Sequence, residues 1–316
     1  MSAGDRMSGA AVDGSIHSGT CPICGGAPRG LAFPYETTWG GIDFHYRVCG
    51  GCGSTFIDPV PTEEQLKTIY SWGNYHSHHY AKVDRARYRR ILELLKGRWP
   101  CKRTLLDFGC GCGGFLVAAR ETGYDCRGVE YEASVIAQAQ DRSGVPVTSL
   151  DALAETGLRF DLIRLADVHL HLPDPAATFR TLERFLVPGG LFLVEAPLEN
   201  HASLVFYAAS AAKGLRRRLG LDRPATIAPT MLVRVNGRVQ REFFRRGLGY
   251  HEHYYEVFET GWPFYVAGRP LCSPADWVKQ ALGAIAVTFN RLQRGPDRRL
   301  GNRFVGLYDP TRDDCP

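Results

Sequence analysis

The sequence predicts an α/β protein with a doubly wound, mostly parallel sheet, preceded by a small cysteine-rich unit. Three observations carry this prediction. From Cys101 onward, apolar stretches typical of buried strands alternate with amphipathic helical stretches. A glycine-rich turn, LLDFGCGCGG, lies where the first of these strands passes into the first helix, and two CxxC pairs precede the whole region. Alternating strands and helices imply parallel pairing with right-handed crossovers.

Length and composition limit the alternatives. A chain of 316 residues with 44% hydrophobic residues can bury a full core and fits about two domains. No apolar run approaches the roughly 20 residues of a membrane span, and the N-terminus lacks the apolar segment of a signal peptide. We therefore expect a cytoplasmic protein without a membrane partner, with a disordered leader at 1–18. A net charge of +5 is compatible with anionic ligands but is too small for a dedicated nucleic-acid binder.

The cysteine pairs predict a metal site in residues 19–60. Cys21 and Cys24 form the first pair, and Cys49 and Cys52 form the second. Neighbouring glycines allow turns tight enough for two thiolates to reach one ion, so four cysteines fit a tetrahedral structural zinc site. The segment WGGIDFHYRV before the second pair predicts a strand hairpin, and the unit reads as a zinc ribbon. Redox-active dithiols are the alternative.

Residues 61–100 predict a helical cap or linker. One helix is expected at EEQLKTIY and another from Val83 to Lys96. The stretch between them, Tyr70 to Tyr80, is rich in histidine and tyrosine. It is either a ligand-binding loop or a polar lid that packs its aromatic faces.

Residues 101–200 carry the predicted core. TLLDFG, DCRGVE, VPVTS, FDLIRLAD and LFLVEAP read as strands, and GGFLVAARETG, EASVIAQAQDR and PAATFRTLERFL read as helices. Ligands of such sheets bind beyond the carboxyl ends of the strands.

The glycine-rich turn indicates close approach of the backbone to a cofactor. Gly109, Gly111 and Gly114 satisfy the dinucleotide pattern GxGxxG, which alone is a weak signal. Asp107 would repel a pyrophosphate, but it could bind the positively charged amino group of S-adenosylmethionine. Glu130 closes the second strand, where an acid can accept both ribose hydroxyls of either cofactor. Glu130 therefore does not distinguish the two cofactors, and Asp107 favours S-adenosylmethionine.

At these residues the chain resembles a known family. Leu105 to Asn200 is similar to the Rossmann-like core of class I S-adenosylmethionine-dependent methyltransferases, through DFGCGCGG, GVEYEA, SLDALAE, ADVHLHLPDP and LVPGGLFLVEAP. Together with CPICG and CGGCGSTFIDPVP, the chain resembles a bacterial subgroup that carries an N-terminal zinc ribbon and acts mainly on small molecules and sugars. The resemblance implies that residues 101–200 bind S-adenosylmethionine.

The resemblance also implies the cofactor-binding residues, which lie in or just after the first four strands. They are Asp107, Gly109, Cys110, Gly111, Gly113, Glu130, Tyr131, Asp151, Ala152 and Asp167. Asp107 and the glycine loop would hold the methionine part, and Glu130 would hold the ribose. Gly113 could instead only cap the following helix.

The remaining cofactor residues have other roles. Asp151 and Ala152 would contact the adenine, although Asp151 could instead only N-cap its own helix. Asp167, at the end of the fourth strand, would face the methyl donor or the substrate. Relatives commonly read DVLEHLPDP there, where this chain has His169 and His171. We take His169 as a candidate catalytic residue and His171 as structural.

Two further histidines are candidates for the general base. Members of this class often carry a substrate-facing histidine after the fifth strand, so His251 and His253 are expected to act on a hydroxyl acceptor. An exposed polar turn or strand is the alternative. A catalytic metal held by both residues and by a third ligand such as His79 is a further possibility, fixed by no spacing.

The rest of the chain is predicted from its length and periodicity. Residues 201–270 are long for a connection between strands, so we expect a substrate-capping insertion there. Its arginine clusters are either solvated or bind a phosphate-bearing substrate. Residues 271–316 predict a helix that starts at a Ser-Pro pair and a final strand at NRFVGLYDP. The sixth strand of the sheet has no clear sequence signal.

The expected function is transfer of a methyl group to a hydroxyl of a small molecule, a sugar or a secondary metabolite. The nearest alternative is a C-methyltransferase acting on a nucleotide-linked keto sugar. A zinc-ribbon RNA methyltransferase is a second alternative, opposed by the few basic residues of the ribbon and by the lack of an Asn-Pro-Pro-aromatic signature. A protein that only binds the cofactor is a third. The sequence leaves the oligomeric state open.

Overall fold

A computed structural model describes residues 19–70, 85–221, 228–262, 264, 272–293, 295 and 299–310. The expected leader at 1–18, most of the histidine- and tyrosine-rich loop, and His79 lie outside the described residues. Eleven strands are described: β1 Pro28–Trp39, β2 Ile42–Cys49, β3 Thr55–Asp58, β4 Thr104–Phe108, β5 Asp125–Val129, β6 Val147–Thr148, β7 Phe160–Ala166, β8 Leu186–Pro197, β9 Val233–Arg234, β10 His251–Phe258 and β11 Arg303–Asp309.

The described helices surround these strands. They are α1 Glu63–Ile69, α2 Arg85–Arg98, α3 Gly114–Glu121, α4 Ala133–Ser143, α5 Leu150–Glu155, α6 Pro175–Glu183, α7 Leu204–Arg218, α8 Gly237–Glu242 and α9 Pro274–Leu292. A short 3-10 turn covers His169–His171, and a π-helical turn covers Phe243–Leu248. In the part of the chain that is described, no helix combines the length and apolarity needed to cross a bilayer.

The larger sheet has the order β10-β11-β8-β7-β4-β5-β6. Neighbouring strands from β8 to β6 pair in parallel, and β11 pairs antiparallel with both β8 and β10. The expected Rossmann-like, mostly parallel sheet is confirmed. The chain winds outward from β4 to β6 and then returns to β7, so the strand order reverses between β4 and β7, where such sheets bind ligands.

Both faces of this sheet are buried, which explains why its strands read as continuous apolar runs. Leu106 and Val194 point into one buried cluster, whereas Leu105 and Leu193 point into the other. Charged residues inside these strands therefore need partners in the interior.

The smaller sheet is antiparallel and has the order β1-β2-β3-β9. The hairpin between β1 and β2 turns at Gly40 and Gly41, which both have positive φ, the conformation that a two-residue hairpin turn requires. β9 comes from far along the chain and pairs with β3, and the Tyr46 hydroxyl donates a hydrogen bond to the Met231 carbonyl at 2.5 Å. The smaller sheet is thus tied to the segment after the core.

The range 201–270 is not one separate insertion, and this expectation is corrected. Its middle part supplies β9 to the smaller sheet, and its last part supplies β10, the sixth strand of the larger sheet. The stretch His251–Tyr255 is strand because it pairs with the final strand β11, a long-range contact that periodicity could not show.

Candidate functional site

The glycine loop after β4 approaches its neighbours too closely for a side chain. Gly109 has φ +71°, and a Cβ added there would lie 2.5 Å from Val168 Cγ2. Its amide donates to the Val129 carbonyl at 2.8 Å, which holds the loop against the end of β5. The loop therefore leaves its backbone uncovered by side chains at Gly109, as a close ligand at the sheet edge would require.

Glu130, directly after β5, is bonded to the same loop. Its Oε2 accepts a hydrogen bond from the Gly111 amide, and its Oε1 accepts one from the Tyr131 amide, both at 2.8 Å. Burial raises the pKa of the Glu130 carboxyl, while these two amides act in the opposite direction. A buried carboxylate is thus fixed beside the glycine backbone.

Asp107, in β4, is buried, and one of its two carboxylate oxygens accepts a hydrogen bond. Its Oδ1 accepts a hydrogen bond from Arg164 Nη1 at 2.9 Å, whereas its Oδ2 has no hydrogen-bond partner among the described residues. Arg164 also lies 3.0 Å from Glu195 and stacks over the Phe115 ring at 3.8 Å. Burial raises the pKa of the Asp107 carboxyl, and the Arg164 guanidinium acts against it.

Arg164 and Glu195 were missed as site residues. The sequence did contain a signal for them, because both residues interrupt apolar runs in strands that are buried on both faces. A buried charge in such a strand needs a charged partner. They position Asp107 at the strand end.

Asp167 follows β7 in a left-handed conformation, φ +56°, which non-glycine residues adopt rarely. Its carboxylate pairs with the Arg303 guanidinium at the start of β11, and its amide donates to the Glu195 carbonyl at 2.9 Å. The carboxyl ends of β4, β5 and β7 thus each bring one acid to the same edge of the sheet.

These residues fit S-adenosylmethionine. The buried Oδ2 of Asp107, which has no partner in the described part of the chain, suits an ammonium group. Glu130 can accept from ribose hydroxyls, and the glycine loop admits a close ligand. The acids also make this edge unsuitable for a pyrophosphate.

The other expected cofactor residues lie around this edge. Tyr131 is half exposed, and its hydroxyl donates to Glu63 at 3.1 Å. Cys110 is buried in the loop. Ser149 caps α5 by accepting from the Ala152 amide at 3.2 Å, so Asp151, exposed in the first turn, does not serve as the N-cap.

His169 does not lie in a ligand site. It is fully buried, its Nε2 lies 3.0 Å from Gln240 Oε1, and its ring packs between Phe179, Phe244 and Phe304. Burial lowers the pKa of His169 to about 4, so it is neutral at physiological pH. The aromatic enclosure leaves no room for a substrate, and we withdraw His169 as a catalytic candidate.

His251 and His253 are not brought to the acidic edge. Register places His251 opposite Asp309, level with the start of β4 rather than its end. Four strand spacings separate β10 from β4, about 19 Å. His253 lies 3.6 Å from Asp309 and edge-on to Trp99. His251 and His253 are thus residues of a strand, as the alternative interpretation expected. We no longer consider them candidates for the general base.

His171, which the sequence indicated as structural, lies four residues after Asp167 and differs from His169 in its contacts. It follows β7 in the 3-10 turn, and its Nδ1 lies 2.6 Å from the Thr230 carbonyl. A carbonyl can only accept, so Nδ1 carries the proton and Nε2 is the basic nitrogen of the neutral ring. The Tyr70 hydroxyl donates to the same carbonyl at 2.5 Å, so Tyr70 lies beside His171.

The four cysteine sulfurs form one cluster in the smaller sheet. All four Sγ atoms lie within 4.8 Å of one another, with Cys21–Cys52 at 3.8 Å and Cys24–Cys49 at 3.5 Å. A tetrahedral ion with about 2.3 Å bonds to sulfur needs separations of about 3.8 Å. A Cβ added to Gly26 would lie 3.0 Å from Cys49 Sγ, so the glycine leaves the space that the thiols share. The donor set fits zinc.

Comparison with known proteins identifies the central part of the chain. The family model described as "Methyltransferase domain" matches residues 77–235, half of the chain. A Ubiquinone biosynthesis O-methyltransferase of Pseudomonas paraeruginosa is 30% identical over 112 residues, which cover 33% of this chain and 48% of that protein. The Ribosomal protein L11 methyltransferase of Thermus thermophilus is 32% identical over 111 residues, 34% of this chain and 44% of that protein.

The chain spans about half the length of these curated relatives, and their acceptors differ. Among solved structures, a chain of the complex between the Haloferax volcanii Trm112 methyltransferase activator and a methyltransferase has a TM-score of 0.50 at 16% identity. That alignment covers 76% of this chain and 96% of that one, and it shows the shared fold.

Proposed function

The chain belongs to the methyltransferase domain family, and we propose that it is an S-adenosylmethionine-dependent methyltransferase that methylates a hydroxyl of a small molecule, a sugar or a secondary metabolite. The acidic edge carries this proposal, since three acids and a bare glycine loop converge there. The similarity to Ubiquinone biosynthesis O-methyltransferases supports oxygen as the acceptor atom. It covers 33% of this chain and 48% of the relative from Pseudomonas paraeruginosa.

Asp107, Glu130 and the glycine loop would hold S-adenosylmethionine, which supplies a methyl group on a positively charged sulfur. The protein's own contribution is alignment and charge placement. Asp107 offers its Oδ2 to a cation, Arg164 opposes the effect of burial on the pKa of that carboxyl, and Glu130 fixes the loop through the Gly111 amide. Asp151 and Ala152 remain proposed adenine contacts.

His171 is the proposed general base for the acceptor. Its Nδ1 proton is committed to the Thr230 carbonyl, so Nε2 can take the proton of a hydroxyl. The Gln variant at this position removes the base while keeping a polar side chain. We expect His171→Gln to lower kcat by about 100-fold at neutral pH, with unchanged binding of S-adenosylhomocysteine.

A C-methyltransferase on a keto sugar is the second candidate. The observation that favours it is the paired Tyr70 and His171, which contact each other and the same carbonyl. Such a pair could remove a proton from carbon next to a carbonyl group. The product distinguishes the two reactions, because the new methyl group is bound to oxygen in one and to carbon in the other.

We propose that the cysteine cluster binds one structural zinc ion. Four thiolates saturate a tetrahedral ion and leave no position for substrate. The ion would fix the turns of the smaller sheet, which is joined to the core through β9. This is a stabilising role, separate from the acidic edge.

Isotope labelling tests the proposed reaction. The purified protein is incubated with S-adenosylmethionine carrying a trideuteriomethyl group and with a fractionated extract, and the label is followed by mass spectrometry. We expect label in the small-molecule fraction, on oxygen after fragmentation. Label on carbon supports the second candidate, and label confined to RNA or protein contradicts both.

A further inference from the structure

A second candidate ligand site lies against β10, the edge strand of the larger sheet. A cleft of about 1270 Å³ is bounded by α6, α8, the π-helical turn, β10 and Arg299, which lies four residues before β11. Six arginines line it: Arg180, Arg238, Arg241, Arg245, Arg246 and Arg299. Two glutamates also line it, so the formal charge of the cleft is +4 with its histidines neutral.

Two of the arginines are already paired. Arg241 Nε lies 2.7 Å from Glu252 Oε2, and Arg238 pairs with Glu242 at 3.1 Å. Among the described residues, Arg180, Arg245, Arg246 and Arg299 have no carboxylate within ion-pair distance. Four guanidinium groups from three parts of the fold thus line one concave surface without a carboxylate partner in the described part of the chain.

The arginine pair at 245 and 246 is held by a rigid support. It lies in the π-helical turn, a conformation that is rare and frequently found at functional sites. Phe244 in the same turn is fully buried and stacks on Tyr308 with a centroid distance of 4.1 Å. The core therefore anchors one side of the turn while the arginines face the cleft.

A glycine without space for a side chain also lines the cleft. A Cβ added to Gly237 would lie 2.9 Å from the Tyr255 hydroxyl, which donates to the Gly237 carbonyl at 3.0 Å. His201 accepts from the Gly237 amide at 3.2 Å. A side chain at this position would collide with Tyr255 and crowd His201, two other residues that line the cleft.

We propose that this cleft binds the phosphate groups of a small phosphorylated molecule, a diphosphate or triphosphate. Arginine forks match phosphate oxygens, and the formal charge of the cleft matches that of such a group. Glu242 and Glu252 interrupt the positive surface and would repel a continuous nucleic-acid backbone. This site is distinct from the acidic edge, so it is independent of the proposed acceptor.

Calorimetry with inorganic tripolyphosphate and pyrophosphate tests the proposal on the full chain. The double variant Arg245→Gln/Arg246→Gln removes two unpaired arginines. The matched control Arg216→Gln/Arg218→Gln removes the same charge from the exposed end of α7. We expect the cleft variant to weaken binding by about tenfold or more, and the control to bind like the wild type.

Three results would overturn the proposal. The wild type could fail to bind either anion, or the control could lose as much affinity as the cleft variant, which would indicate unspecific attraction. An RNA oligonucleotide bound at low salt and lost in the cleft variant, without tripolyphosphate binding, would assign the cleft to nucleic acid. Unchanged S-adenosylhomocysteine affinity in both variants shows that the donor site is intact.

Discussion

Arg164 Nη1 lies 2.9 Å from Asp107 Oδ1, in the neighbouring parallel strand and directly opposite in register. Both side chains are almost completely buried, and Glu195 binds the same guanidinium. The core of the sheet therefore contains an acid-base-acid group beneath the acidic edge, where one oxygen of Asp107 is left for a ligand.

We expect Arg164→Met to lower the free energy of unfolding by about 3–5 kcal/mol, because it leaves two buried carboxylates without their cation. Urea unfolding measures the change. Adding Glu195→Gln removes one of those charges and should restore part of the stability. A double variant as unstable as the single one would show that the guanidinium acts through packing against Phe115 rather than through charge.

The acids of the edge should control donor binding. Asp107→Ala and Glu130→Ala should each abolish binding of S-adenosylhomocysteine in calorimetry, because one removes the acceptor for a cation and the other the acceptor for ribose hydroxyls. Zinc content should be the same as in the wild type. Retained binding in both variants would contradict the assignment of this edge to the donor.

His169 should make stability depend on pH. Its pKa is lowered from 6.5 to about 4 by burial, so between these values the unfolded chain binds a proton that the folded protein excludes. Stability should fall as the pH is lowered from 6.5 toward 4, by about 3 kcal/mol from this residue.

The comparison of wild type with His169→Asn isolates this effect. Thermal or urea unfolding at several pH values should show a shallower fall for the variant in that window. Its pH–rate profile should keep the shape of the wild-type profile. A variant that lost the same stability on acidification would show that His169 already carries a proton when folded.

The cysteine cluster should hold about one zinc ion per chain. Cys24→Ser should lose the metal and lower Tm by about 5 °C or more, because the turns of the smaller sheet lose their crosslink. Cys101→Ser, another exposed cysteine outside the cluster, is the matched control and should keep both. Metal analysis and thermal unfolding check the prediction, and zinc in the Cys24 variant would contradict it.

Local patterns predicted the core of the sheet well. The strand at TLLDFG, its glycine turn and the helix after it are local features, and an apolar run with a turn signal suffices to find them. Glu130 was also predictable, because an acid at a strand end is visible in the sequence. These residues lie together since parallel strands end at one edge.

Long-range contacts accounted for the errors. His251 and His253 looked like a substrate-facing motif, but pairing of β10 with β11 places them far from the acidic edge. The environment of His169 is set by three phenylalanines from different elements, which no local pattern reveals. Arg164 interrupts an apolar strand, and a buried charge needs a charged partner, so the sequence indicated an ion pair there.

The pairing of Thr55 with Arg234 joins two segments more than half the chain apart. On a ribosome the cysteine knuckles emerge early, whereas β9 emerges only after the whole parallel core has been synthesised. The edge of β3 in the smaller sheet therefore stays unpaired until β9 has been synthesised and can pair with it. Because β10 and β11 are synthesised after β9, all strands of the smaller sheet are available before all those of the larger sheet are.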